Sequence, residues 1–254
     1  MLSKNNKLIK DTLKLKQKKY RDESGKFIIE GARFVEEALN ENKVEYIFYS
    51  GKFASSKYSS ILDANCPKYE VEDAVIKELS DTETPQGIIA VCIKTDYDLE
   101  VLKDFAVIID GVQDPGNLGT IIRTADAAGA DAVIIVKGTV DVYNSKTLRS
   151  TMGSIFHLPV IYIDEFETSI DILKQKGFKV YATDLTAKSY IYDFDFKQKT
   201  AIIIGNEANG IPQSHIELAT DKIKIPMIGR AESLNAAMAS SILLYEVVRQ
   251  RIIK

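Results

Sequence analysis

The stretch Phe105–Lys137, "FAVIIDGVQDPGNLGTIIRTADAAGADAVIIVK", decides the fold. It opens on an unbroken apolar run, turns at "DPGN", continues through helix-compatible residues and closes on a second run, "AVIIVK". A strand that is apolar at every position has no polar face to give to water, so both of its faces must be covered. Two such strands with a helix between them describe a parallel β-α-β unit.

Toward the C-terminus the pattern repeats in "PVIYI", "KVYATD", "AIIIG" and "KIKIP", with helices between them. This is a largely parallel sheet in an α/β layer architecture. Toward the N-terminus the strands are shorter: "KFIIE" before the helix "GARFVEEALN", "VEYIFYS" before "SSKYSSILDAN", "KYEVE" before "DAVIKELS", then "GIIAVCI". They form a smaller α/β unit. The polar segment "KTDYDLEVLKD" (Lys94–Asp104) separates the two, which predicts domains at 1–100 and 101–254.

Composition excludes several classes. A 254-residue chain with 45% hydrophobic residues is globular, not disordered. No apolar run is long enough for a membrane span, and the N-terminus lacks the apolar core of a secretory signal, so a cytoplasmic location is expected. Cys66 and Cys92 stand apart without CxxC spacing, as small apolar side chains would, and no metal site is expected. The net charge of -3 is unevenly spread, because residues 1–21 hold eight Lys/Arg and one Asp. That arm could meet phosphates, or it could be a solvated helix face with Leu8, Ile9, Leu13 and Leu15 packed inward.

In open α/β sheets ligands bind where loops leave the carboxyl ends of strands. Three loops qualify. In "IDGVQDPGNLGTIIRTADAAGA" (Ile109–Ala130), Asn117 can cap a helix whose free amides favour an anion, and Arg123 lies on that helix as a phosphate clamp or a surface ion-pair partner. In "AIIIGNEANGIPQSHIEL" (Ala201–Leu218), Gly205 and Gly210 allow close backbone approach, Pro212 fits a first helical turn, and Glu207 could bind a ligand or tie down loop amides. GxGxxG and the Lys-Ser/Thr of a phosphate loop are both missing. In "IPMIGRAESLNAAMA" (Ile225–Ala239), Pro226 and Gly229 shape a loop, and Ser233 reads as the cap of a helix apolar over most of its circumference. Such a helix needs cover on more than one side, and a second subunit is a natural cover.

Together these segments resemble the SpoU (TrmH-like) ribose methyltransferases of the SPOUT superfamily. The carrying motifs are "NLGTIIRTADAAGAD", "IIIGNEANGI" and "IPMIGRAESLNAAMASSILLYE", in family order, with "LRSTMGSIFHLPV" between the first two. The N-terminal "KFIIEGARFVEEAL" and "TPQGIIAV" are similar to a ribosomal-protein-like RNA-binding domain. The resemblance implies transfer of a methyl group from S-adenosylmethionine to a ribose 2'-hydroxyl of RNA, a homodimer, and a trefoil knot near the C-terminus. It places Asn117, Arg123, Glu207, Ser233 and Asn235 in the catalytic motifs and Gly205, Ile225 and Leu234 at cofactor positions; Asn235 is expected at the cofactor too, and Ile225, Met227 and Leu234 are candidates for the apolar slot an adenine needs. Lys26, Arg33 and Arg149 are the expected RNA contacts, each with an ion pair as its alternative. His157 and His215 fall outside the motifs and are expected in structural or surface roles. Ribosomal RNA is the expected substrate because of the N-terminal domain. The alternatives are transfer RNA, a catalytically silent RNA-binding member of the fold, a knotted enzyme that methylates a base nitrogen, and an ordinary open-sheet nucleotide enzyme.

Overall fold

The computed structural model describes residues 2–252. They divide into two compact units, one reaching Thr95 and joined by the later segment Tyr143–Phe156, the other built from Asp96–Val142 and the residues from His157 onward. The division falls inside the polar stretch that suggested it. The segment Tyr143–Phe156, which the sequence assigns to the second domain, groups instead with the first.

The first unit contains α1 (Lys7–Lys14), α2 (Lys18–Ser24), β1 (Lys26–Glu30), α3 (Ala32–Asn40), β2 (Val44–Tyr49), the short α4 (Gly51–Ala54), β3 (Lys68–Glu70), α5 (Asp73–Leu79) and β4 (Ile88–Ile93). Its sheet runs β1-β4-β2-β3, with β4 antiparallel to β1 and β2, and β2 parallel to β3. "SSKYSSILDAN" forms a 3-10 turn at Ser59–Asp63, not the expected helix. Serine hydroxyls compete there with backbone pairing, as Ser56 Oγ does by accepting from Tyr58 N at 3.2 Å.

The basic arm is folded into this unit. Ile9 and Leu15 are buried, and Leu8 and Leu13 pack with Ile9 against Phe48, Val75 and Leu79. Thr12 Oγ1 lies 3.0 Å from Tyr46 OH. Much of the arm's charge is paired: Lys14 with Asp11, Lys16 with Asp81 and Lys18 with Asp22.

The second unit contains β5 (Phe105–Ile109), α6 (Pro115–Ala127) and β6 (Ala132–Val136); after α7 (Ser145–Thr151) of the first unit come β7 (Val160–Ile163), α8 (Phe166–Gln175), β8 (Lys179–Thr183), β9 (Thr200–Ile204), α9 (Gln213–Glu217), β10 (Asp221–Ile223) and α10 (Ala236–Ile252). Its six strands run β10-β8-β9-β5-β6-β7, and every pairing is parallel. Every residue of β5, β6 and β9 is buried, as their continuous Ile/Val runs require. Both cysteines are free, and burial pushes the Cys92 thiol far above its ordinary value. No described helix is long and apolar enough to cross a membrane.

Candidate active site

The strand order supplies the reason for the site's position. From β5 the chain moves outward to β6 and β7, while β9 and β8 lie on the other side of β5. The loops leaving the carboxyl ends of β5 and β9 therefore diverge at a topological switch point.

Pro115 occupies the first turn of α6, and Asp114 is its cap, accepting from Asn117 N at 2.8 Å. Asn117 is thus not the cap that the sequence suggests. Proline fits the first helical position, which sets the helix start ahead of Asn117 and leaves its carboxamide free to reach outward. Asn117 Nδ2 donates to Glu207 Oε1 at 2.9 Å, and Asn117 Oδ1 accepts from Asn235 Nδ2 at 3.0 Å. Asn235 Oδ1 in turn accepts from Ala237 N at 2.9 Å and Met238 N at 3.3 Å. Asn235 therefore caps α10, and the expectation of a Ser233 cap is corrected: the helix starts at Ala236, too far along for that hydroxyl.

Glu207 completes the network by accepting from Gln113 N at 3.1 Å and Asp114 N at 3.3 Å. Burial acts to raise its carboxyl, but the hydrogen bonds from Asn117 and the loop amides outweigh it and hold the group below its usual value. Of its two sequence readings, tying down loop amides is the one the geometry shows. Asn206 works alongside it, donating to Gly111 O at 2.8 Å and accepting from Ala208 N and Asn209 N at 2.9 Å each. Gly205 has no room for a side chain: a Cβ there would stand 2.6 Å from the Gly210 carbonyl carbon and 2.7 Å from Ile211 N.

Beside this network lies a cavity of about 460 Å³, lined by Gly205, Glu207, Ile225, Met227, Ser233 and Leu234 together with Ile204, Ile211 and Leu185. Its size and its mixture of apolar side chains with backbone polar groups suit a small organic ligand. Glycine and isoleucine walls could clasp a flat aromatic ring while loop amides and carbonyls meet its polar edge. Asn235, expected at the cofactor, does not line this cavity; its carboxamide is engaged with Asn117 and the first amides of α10. Leu185 and Thr183 line it and were missed. Thr183 ends β8 and Leu185 follows it, so the strand-end rule applied to "KVYATD" points to both.

Arg123 is exposed on α6, makes no ion pair or side-chain hydrogen bond among the described residues, and does not line the cavity. Lys26 pairs with Glu45 at 2.7 Å, so its ion-pair alternative is the one observed. Arg33 and Arg149 are both exposed and line a second cavity, within the first unit. His215 Nδ1 lies 2.8 Å from Asp110 Oδ2 with its ring stacked on Phe166, and His157 lies 3.4 Å from Asp126. Among the described residues no group of three or more His, Cys, Asp or Glu could hold a metal ion.

Comparison with known proteins adds to this geometry. A model of the SpoU rRNA Methylase family matches residues 104–245, and one of the MRM3-like substrate binding domain matches residues 6–90. The 23S rRNA (guanosine(2553)-2'-O)-methyltransferase RlmP of Bacillus subtilis is 40% identical over 95% of this chain and 96% of its own length. The SpoU methyltransferase AviRb of Streptomyces viridochromogenes, solved in complex with AdoMet, superposes with a TM-score of 0.91 at 32% identity, covering 98% of this chain and 99% of that one. A TrmH/SpoU tRNA modifying enzyme of A. aeolicus gives a TM-score of 0.54 at 33% identity, over 59% of this chain and 76% of its own.

Proposed function

The chain belongs to the SpoU rRNA methylase family, and from that premise we propose that it transfers the methyl group of S-adenosylmethionine to a ribose 2'-hydroxyl of ribosomal RNA. The observation that carries this reading is the cavity bounded by the loops after β9 and β10, where the motif residues Gly205, Ile225, Met227, Ser233 and Leu234 converge. Ribosomal RNA is favoured over transfer RNA by the extent of likeness: the rRNA methyltransferase of B. subtilis matches nearly the whole chain, and the tRNA-modifying enzyme matches 59% of it. A cytoplasmic location is part of the same proposal.

The cavity fits the cofactor. Ile225, Met227 and Leu234 would hold its adenine, and the backbone of Gly205–Ile211 its polar groups. S-adenosylmethionine supplies an electrophilic methyl group on a sulfonium. That methyl group would pass to the ribose oxygen with the sulfonium's C–S electron pair left on sulfur, and Ser233, an RNA phosphate or water would take the hydroxyl proton. Alignment of two reactants contributes up to ~7 to 11 kcal/mol toward such a step. Glu207, Asn117 and Asn235 act as positioning residues in this account, since all three already bond one another or the loop backbone. Arg123 is the group left for charge. A guanidinium with pKa above ~12 does not serve as a base at neutral pH, so its role is to orient the ribose and adjacent phosphate and to stabilise the developing oxyanion.

A homodimer is part of the proposal. Met238, Ile242 and Tyr245, at i, i+4 and i+7 of α10, stay exposed in the single chain, an apolar stripe that a second copy would cover. Because Arg123 misses the cavity of its own chain, it would serve the cavity of the partner. A trefoil knot belongs to the same proposal, and the lining of one cavity from both C-terminal loops is in keeping with it. The division of labour follows the two units, with RNA capture in the first and methyl transfer in the second.

Mapping of ribose methylations in total RNA from cells with and without this gene tests the reaction: one 23S position losing its methyl group is expected, and an unchanged map sinks the reading. A calorimetric titration with S-adenosylmethionine separates an active enzyme from a silent relative. Coexpression of Arg123→Ala with a cavity variant, Gly205→Val, tests delivery across the dimer. Recovered activity in the mixed species is expected, and none would place Arg123 on its own chain's site.

A further inference from the structure

Helix α7 ends in a left-handed turn. Met152 takes φ 52° and Gly153 φ 101°, and a Cβ on Gly153 would come within 3.0 Å of Glu37 Cγ. The end of α7 is therefore pressed against α3, and Met152 is left 67% exposed, unusual for a large apolar side chain. Between these helices opens a cavity of about 560 Å³. Arg33 from α3 and Arg149 from α7 both line it, and neither makes an ion pair or side-chain hydrogen bond among the described residues. Its carboxylates are occupied: Glu30 accepts from Ser80 Oγ at 2.7 Å and Asp81 N at 3.0 Å, and Glu37 has a partner as well.

The remaining lining is aromatic and amide. Phe34 and Tyr58 are half-buried, each presenting part of a ring. Gln86 Oε1 accepts from Ala32 N at 2.8 Å, which fixes the carboxamide and leaves its two N–H donors without a partner among the described residues. Two guanidinium groups without a close ion pair, of which Arg149 also acts at longer range on the Asp81 carboxylate, two partly exposed rings and an oriented amide donor match the parts of one nucleotide: phosphate, base face and base edge. A duplex hides its base faces, whereas unpaired RNA splays them out to stack on aromatic side chains.

We propose that this cavity binds an unpaired nucleotide of the RNA substrate, with Arg33 and Arg149 on its phosphates, Tyr58 or Phe34 stacked on its base and Gln86 on the base edge. The inference rests on the RNA reading above and deepens it, by naming a single-stranded feature as what the first unit recognises. It also gives Tyr143–Phe156 a purpose: the segment leaves the second unit's sequence in order to complete a nucleotide site in the first.

The test uses the full chain and a fluorescein-labelled, mixed-sequence single-stranded oligoribonucleotide, with the same strand annealed to its complement as the second probe. The single strand should bind more tightly than the duplex. Arg149→Ala and Arg33→Ala should each flatten the salt dependence of single-strand binding by about 0.7 in log–log slope, the share of one phosphate contact. Tyr58→Leu should weaken it roughly tenfold, as loss of one stacked base does, while Tyr58→Phe, which keeps the ring, should not. Duplex bound as tightly as single strand, or Arg149→Ala and Tyr58→Leu both binding like wild type, would overturn the proposal. The failures are separable. Methylation by wild type with unaffected variants removes the pocket alone, whereas variant-sensitive binding without any methylation by wild type removes the methyl-transfer reading alone.

Discussion

Glu207 and Arg123 both stand in family motifs within one unit, and their surroundings are opposite. Glu207 accepts three hydrogen bonds from Gln113, Asp114 and Asn117, and through Asn117 it is linked to Asn235 and the start of α10. Arg123 is exposed and unpaired among the described residues. Motif membership therefore covers two kinds of work. A polar group whose hydrogen bonds are satisfied inside the chain builds the site, and one left unsatisfied is available to a ligand.

The comparison breaks most sharply at Arg123. Arg123→Ala should lower the single-turnover methylation rate by about 10²- to 10³-fold, the usual cost of removing one donor to a developing oxyanion. Cofactor affinity and thermal stability should stay near wild type, because the guanidinium touches nothing that holds the fold. A rate within threefold of wild type would move Arg123 out of the reaction.

Gly205→Ala probes the building side. The new methyl group would meet backbone atoms of Gly210 and Ile211 that cannot rotate away, so about 1 to 3 kcal/mol of destabilisation is expected in urea unfolding. Displacement of that loop should also weaken calorimetric binding of S-adenosylmethionine. An alanine variant with unchanged stability and affinity would mean that the loop has slack where the structure shows none.

Glu207→Gln is a smaller perturbation of the same network. Gln keeps one acceptor and places an NH2 against donors, at a cost of about 1 kcal/mol. The pH dependence is the finer test. The Glu207 carboxyl lies below its ordinary value of 4.5 in the folded chain, so its contribution is complete above that value and is lost as pH falls below it. Wild type should then lose more stability than the Gln variant on acidification below that point, and parallel acid limbs would contradict the hydrogen-bond account.

These contrasts also show where sequence reading works. The strands of the second unit were readable because an all-apolar run admits one environment. The three loops were readable because strand ends at a switch point collect ligands. The roles within them were not, since Asn117 and Asn235 meet across 118 residues and no local pattern encodes that bond. The caps differ from the sequence expectation for the same reason: Asp114 rather than Asn117 and Asn235 rather than Ser233 accept from the first helical amides, and neighbouring side chains of equal capping ability hide that choice. Arg33 and Arg149 stand 116 residues apart, and only the grouping of Tyr143–Phe156 with the first unit brings them to one cavity.

The smallest expected effect lies in the basic arm, where the satisfied and the available are mixed on one pair of helices. Truncating residues 1–21 would remove Ile9 from the core and the Thr12–Tyr46 contact, so any loss of RNA binding would report unfolding as much as lost charge. Lys7 and Lys10 offer a cleaner probe, because they make no ion pair among the described residues, unlike Lys14, Lys16 and Lys18. Lys7→Glu with Lys10→Glu should leave the melting temperature near wild type and flatten the salt dependence of single-strand binding by about 0.7 per phosphate contact removed. An unchanged slope with unchanged stability would show that the arm's positive charge serves its own acidic neighbours and not the RNA.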